Sequence, residues 1–304
     1  MFSGEHGSQG NQFQVYKIAE KENLKYIHSS EAYWVKNRLE KDRANCHIIL
    51  AAKNQEGRKD INYALSIANE DGYYYKPRID LELLFNIPKD NIIVTSACIS
   101  GWNYEDSEEI WLKIHEYFGD NFFLEVQYHN TESQKELNKR ILRMANKHNI
   151  QIICGLDSHY ITNESSVKRS QILKYKKISY PYEEGWYMDY PDTETVIKRF
   201  KEQGILSDED ILRAIMNTNI FVSECEEIVF DKKFKIPTVY PGKTYKEKCK
   251  IYKDILNKAY AKEKLKSKEK ADGIRYEVKQ VIESGVVDYF LTSKAIVDEP
   301  ANNQ

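Results

Sequence analysis

The chain has 304 residues, 41% hydrophobic and 30% charged, with a formal net charge of −2 and a pI near 6.4, enough for one or two domains with a real core and no global attraction to polyanions. It has no run near the roughly 20 apolar residues that span a bilayer and no charged-then-apolar leader, so an intracellular, cytoplasmic chain without a membrane partner is expected. Five cysteines, at 46, 98, 154, 225 and 249, are odd in number and contain no C-x-x-C pair, which excludes a disulfide framework or a zinc ribbon.

Apolar runs alternate with helical periodicity along the first half of the chain. A helix is predicted over 11–23, then strands over 24–27 and 47–52, a helix over 56–69, a strand over 92–97, a helix over 105–118, a strand over 122–126, a helix over 132–148 and a strand over 150–156. Strands separated by helices of this length imply crossover connections and a parallel sheet or barrel, with chemistry at the carboxyl ends of the strands. Residues 231–244, with Pro237, Pro241 and Gly242, form a predicted linker. It divides a unit at 1–230 from a helical segment at 245–304 whose last residues, 299–304, are expected to fray. Residues 243–279 carry 13 Lys/Arg against 6 Asp/Glu. A solvated helical face is favoured there over a DNA-backbone contact, because aromatic interleaving is sparse. The 22 Tyr against 4 Trp read as composition rather than function.

Asp157 and His159 stand two apart where an apolar strand ends, so both side chains can point the same way towards one cation. Other strand ends carry further donors: Glu31 follows the first strand, Cys98 ends the third, His129 follows the fourth, His6 lies near the N-terminus and His47 opens the second strand. A mixed N/O/S set of this kind suits zinc, manganese or iron better than calcium. Two or three such cations about 3.5–4 Å apart suit phosphoester hydrolysis. On residue type alone His47 reads as a cap or surface residue, because it begins its strand. His129 is a weaker candidate, Cys154 reads as core, and His28, His115 and His148 read as surface or edge residues.

Ordered blocks along the chain resemble the N-terminal region of the bacterial DNA polymerase III alpha subunit, the PHP (polymerase and histidinol phosphatase) domain. They are Gly4-Glu5-His6-Gly7, Ser30-Glu31-Ala32-Tyr33, the run from His47 to Asn54, Gly72 to Asp80, Val94 to Gly101, Phe122 to Gln127 with His129, and Asp157-Ser158-His159-Tyr160. Asn217-Thr218, Glu224-Cys225 and Ile236-Pro237 resemble the exit from that domain, and Asp288 to Leu291 the entry to the polymerase palm.

The resemblance implies an α/β fold, a distorted parallel β/α barrel of PHP type, with metal ligands at His6, Glu31, His47, Cys98, Asp157 and His159. The family's H-x-H pair and a following Asp would lie before Met1, so a barrel lacking its first strand, an exposed sheet edge and an impaired site are expected. Glu5 stands where the family has Asp. The palm's glycine-rich loop and carboxylate pair are not in the sequence, so the chain is expected not to polymerise DNA alone. A fragment or a split gene product, of host or phage, fits equally.

The implied function is part of a replicative polymerase, with metal-dependent phosphoesterase or 3′–5′ exonuclease ancestry. Expected partners are DNA, the remaining palm and fingers, and a proofreading exonuclease subunit as a candidate. The alternative is an inactive scaffold or docking module for that subunit. A free-standing histidinol-phosphate-type phosphatase is disfavoured, because the Tyr73–Asp80 block and the C-terminal tail would have no purpose in it.

Overall fold

The computed structural model describes all residues except 1, 3, 181, 182, 234, 265 and 302–304. The end of the tail expected to fray, 302–304, therefore lies outside the described residues. The chain divides into two units, Met1–Phe230 and Asp231–Gln304.

The first unit is built on one sheet of seven strands: β1 (Ser29–Trp34), β2 (Cys46–Ala52), β3 (Tyr73–Tyr74), β4 (Lys76–Ile79), β5 (Ile92–Thr95), β6 (Phe122–Val126) and β7 (Gln151–Cys154). Their order in the sheet is β3-β4-β1-β2-β5-β6-β7. Helices α1 (Gln12–Lys21), α2 (Gln55–Glu70), α3 (Leu81–Phe85), α4 (Ser107–Phe118), α5 (Glu132–His148), α6 (Asn163–Tyr175), α7 (Thr193–Gln203) and α8 (Asp208–Glu224) complete it. The long helices begin at side-chain caps: Asn54 Oδ1 accepts from Gly57 N at 2.8 Å, and Ser207 Oγ from Asp210 N at 3.1 Å.

The α/β class and the trailing helical segment are as expected. The sheet is mixed, however, and open among the described residues. β5, β6 and β7 run parallel, as do β1 and β4, but β2 is antiparallel to both β1 and β5. The β1–β2 connection is short and holds no helix, whereas a parallel return needs a crossover of a dozen or more residues, usually helical. Reversal of β2 brings its first residues to the end of the sheet where β1, β5, β6 and β7 finish. His47 is on that account a mouth residue and not a surface cap.

The predicted first strand is displaced. Leu24 is exposed and only Ile27 makes a bridge, to Phe2, while ladder pairing begins at Ser29. On the edge of β1 opposite β2, where β4 pairs only with Tyr33 and Trp34, the upstream residues carry the N-terminal segment: Glu31 N donates to Glu5 O at 2.9 Å and Gly7 N to Glu31 O at 2.8 Å.

Alternate residues of the strands feed two apolar layers. Ile48, Leu50, Val94, Phe122 and Leu124 join Trp34 and Trp111 in the main core; Ile27, Ala51, Ile93, Phe123 and Ile153 join Phe221 on the other face. His28, expected at the surface, is buried: its Nδ1 lies 2.8 Å from Tyr26 Oη and its Nε2 3.1 Å from Asn62 Oδ1.

The second unit contains α9 (Tyr245–Lys262), α10 (Lys268–Glu283) and α11 (Val287–Ala301). α9 opens on a capping box between Thr244 and Glu247, and Lys248 Nζ reaches Asp288 Oδ2 at 3.0 Å to tie α9 to α11. No described helix is long and apolar enough to cross a membrane.

Candidate metal centre

The site forms around Glu31 at the middle of β1. Its register partner on β2 is Ile49, so His47 stands two residues along on the same face, the diagonal position within reach of a long side chain. His6 bridges Glu31 from the other edge. The carboxylate therefore sits between two imidazoles: Oε1 is 2.7 Å from His47 Nδ1 and Oε2 is 3.8 Å from His6 Nδ1. One donor atom from each of His6, Glu31 and His47 can be chosen so that all lie within 4.8 Å of one another.

Glu5 places His6 without contributing a ligand. Its carboxylate accepts from Asn11 N at 2.9 Å, and its carbonyl accepts from Ser30 Oγ and Glu31 N. Burial holds the His6 imidazole below its ordinary pKa, against the opposing pull of Glu31.

Cys98 follows β5 after Ala97, whose φ of 54° is a left-handed conformation that L residues seldom adopt. That turn carries the thiol sulfur to 3.4 Å from His47 Nδ1 and 3.9 Å from Glu31 Oε1. Burial, and then the Glu31 and Asp157 charges, push the thiol well above its ordinary pKa. The same negative surroundings would favour a cation.

Asp157 and His159 leave β7 through a second left-handed residue, Asp157 at φ 49°. His159 Nε2 lies 3.3 Å from Asp157 Oδ1. Burial would raise the Asp157 pKa, but the hydrogen bond and charge of His159 outweigh it and leave it below the ordinary carboxylate range; the same contact raises His159. Asp157 interacts electrostatically with His6, His47 and Cys98. The six positions thus gather at one mouth, as a tight set of His6, Glu31 and His47, with Cys98 beside Glu31 and His47 and the Asp157–His159 pair close enough to interact with them electrostatically.

His129 is fully buried, stacks on Trp186 at 4.7 Å, and accepts from Tyr187 N at Nδ1, 3.1 Å. With Nδ1 an acceptor, the neutral ring carries its proton on Nε2, which offers a donor rather than a lone pair to the site. Burial pushes its pKa down to about 4, keeping it neutral.

A residue outside the expected set is Glu125, a carboxylate inside the apolar strand β6. Its Oε2 accepts from Thr95 Oγ1 at 3.0 Å and its Oε1 from Gln127 Nε2 at 2.8 Å. Burial pushes its pKa up to about 7 against those two hydrogen bonds. Gly155 makes room for it, since a Cβ there would meet Glu125 Oε1 at 1.9 Å. Glu125, Glu31, Cys98 and Asp157 line one cavity of about 610 Å³ whose remaining walls include Ile153 and Phe221. The signal was a lone charged residue in the run Phe122-Phe123-Leu124-Glu125-Val126.

Two imidazoles and a carboxylate converging from separate parts of the chain, with a buried thiol beside two of them, form a donor set able to hold a divalent cation. Residues 5–129 match the PHP domain family model. Beyond it, the chain is similar to the DNA polymerase III subunit alpha of Aquifex aeolicus (strain VF5), 26% identical over 333 aligned residues covering 98% of this chain and 28% of that protein. It is also similar to the subunit of Borreliella burgdorferi, 31% identical over 56% of this chain and 16% of the relative, and to that of Chlamydia trachomatis, 33% identical over 43% and 12%. The chain therefore spans between 12% and 28% of the length of these relatives. Asp157 and His159 lie beyond the matched PHP span.

Proposed function

We propose that this chain serves DNA replication as the PHP portion of a DNA polymerase III alpha-type subunit, with a divalent-metal phosphoesterase site of 3′–5′ exonuclease type at the mouth of its sheet. The observation that carries this reading is the convergence of His6, Glu31 and His47, from three elements, to within 4.8 Å. In the proposal His6, Glu31, His47 and Cys98, with Asp157 and His159 opposite, hold zinc, manganese or iron. When bound, such cations polarise a phosphoryl oxygen and lower the pKa of water. The chain's own part is to fix the donors: Glu31 orients His47 through a 2.7 Å contact, and Glu125, its carboxyl pushed up to about 7 by burial, can take up and release a proton at the cavity wall. Nucleotidyl transfer, and contact with the palm and fingers, belong in this reading to the rest of the polymerase.

A second reading, a scaffold or a dock for a proofreading subunit, is favoured by one feature. Glu31 Oε1 already meets His47 Nδ1 at 2.7 Å, and its Oε2 lies 3.8 Å from His6 Nδ1, so the carboxylate is engaged without a cation. A nuclease assay separates the two: a 3′-ended primer incubated with the chain and manganese or zinc is shortened in the first reading and left intact in the second, and Asp157→Ala/His159→Ala abolishes the shortening.

A further inference from the structure

The hairpin formed by β3 and β4 stands beside the metal centre and concentrates aromatic and cationic side chains. Tyr73 and Tyr75 are 59% and 60% exposed. Tyr75, at the turn, holds φ 60°, strained for a bulky residue, and so presents its ring outward. The Arg43 guanidinium lies 4.0 Å over that ring and also hydrogen-bonds the Tyr75 hydroxyl.

Lys76 Nζ lies 4.7 Å from the centre of the Tyr33 ring and 3.1 Å from its hydroxyl. Tyr33 in turn packs against both imidazoles of the centre, 5.9 Å from His6 and 5.5 Å from His47 between ring centres. Among the described ion pairs neither Arg43 nor Lys76 meets a carboxylate. The nearby acids are engaged elsewhere: Asp42 caps Ala44 N at 2.9 Å, and Asp71 pairs with Arg38 at 3.3 Å.

The surface is held in place from beneath. Arg78, 2% exposed, donates to the carbonyls of Gly72, Asp42 and Arg38 at 2.9, 2.8 and 2.7 Å, tying the hairpin to the loop that carries Arg43. Gly7, at φ 60°, lets the N-terminal segment close onto it, because a Cβ there would meet Pro77 Cγ at 2.8 Å and Tyr33 Cδ2 at 3.0 Å.

Exposed rings interleaved with unpaired cations are the elements of single-strand binding, in which bases stack on aromatic faces and Lys or Arg follows the phosphates. Duplex DNA keeps its bases stacked on each other and offers these rings little. We infer that Tyr73, Tyr75, Arg43 and Lys76 form a platform that binds single-stranded DNA and leads its end past Tyr33 to the His6/Glu31/His47 cluster. This rests on the phosphoesterase reading and names its substrate class.

Fluorescence anisotropy of a labelled oligothymidylate of about 16 nucleotides, titrated with the full chain, tests it. Wild type is expected to bind with marked salt dependence. Arg43→Gln/Lys76→Gln is expected to weaken binding roughly tenfold or more and to lower the salt slope by about 1.4, about 0.7 per lost phosphate contact on a single strand. Tyr73→Ala/Tyr75→Ala is expected to weaken it by a similar factor at unchanged salt slope, because stacking releases no counterions. Circular dichroism confirms that each variant is folded, and Lys147→Gln on α5 serves as the control that binds like wild type. Failure of the wild type to bind, wild-type affinity in both double variants, or equal affinity for a duplex overturns the platform. Metal content measured on the same preparations separates this proposal from the one beneath it. A metal-free chain that binds through these residues keeps the platform and removes the phosphoesterase; a metal-loaded chain indifferent to the oligonucleotide does the reverse.

Discussion

Glu31 and His47 come from neighbouring antiparallel strands and meet at 2.7 Å between Oε1 and Nδ1. Their contact ties the direction of β2 to the chemistry of the mouth. Glu31→Gln keeps the size of the side chain and removes its charge, leaving two imidazoles and a protonated thiol. Cation affinity, measured by competition with a fluorescent zinc chelator, is expected to fall at least tenfold, roughly the lower bound seen when groups around a metal site are lost.

The loop that carries Asp157 and His159 is fastened to the 188–190 segment. His159 N donates to Met188 O at 2.9 Å and Ser158 Oγ to Asp189 O at 2.8 Å, while Asp189 itself is held in a buried bidentate pair by Arg199 at 2.7 and 2.8 Å. Asp189→Asn strands a buried guanidinium and is expected to cost about 3 kcal/mol in urea unfolding. It should also weaken cation binding, although residue 189 is not among the proposed ligands.

Gly155 is required by the carboxylate across from it. In Gly155→Ala the new Cβ would meet Glu125 Oε1 at 1.9 Å and Cγ at 2.6 Å, with Glu125 already pinned by Thr95 and Gln127. A loss of about 1–3 kcal/mol is expected from overpacking. In Gly155→Ala/Glu125→Ala much of that loss should be relieved, giving a coupling measurable by a double-mutant cycle.

His28 sets a pH dependence remote from the mouth. Burial lowers its pKa to about 4 from 6.5, against the hydrogen bond to Asn62. The unfolded chain then binds the extra proton between these values, so this contribution is fully present above pH 6.5 and declines as pH falls towards 4. It amounts to about 3 kcal/mol at most. His129, also lowered to about 4, acts in the same window. Unfolding free energies at pH 7 and 4.5 should differ less in His28→Gln than in wild type, whatever the stability of the variant at pH 7.

Much of the sheet was legible because β2, β5, β6 and β7 are apolar runs bounded by helices with clear periodicity. β1 was not, and its sequence Ser-Ser-Glu-Ala-Tyr-Trp explains the displacement to 24–27. Every residue of that strand is buried, but Ser30 is satisfied by the Glu5 carbonyl and Glu31 by His47, so contacts distant in sequence replace apolar character. The direction of β2 is a tertiary fact, and with it the place of His47. The tyrosines of the hairpin looked like composition until the turn at Tyr75 and the buried Arg78 gave them one surface.

The most direct test of the metal centre is elemental analysis of the purified chain after dialysis against zinc or manganese, beside Glu31→Gln and His6→Ala/His47→Ala. At least one equivalent of metal per wild-type chain is expected, lost in both variants while circular dichroism remains unchanged. A folded wild-type chain that retains no metal after loading would contradict the metal centre and leave Glu31 and its two imidazoles as a structural ion-pair cluster.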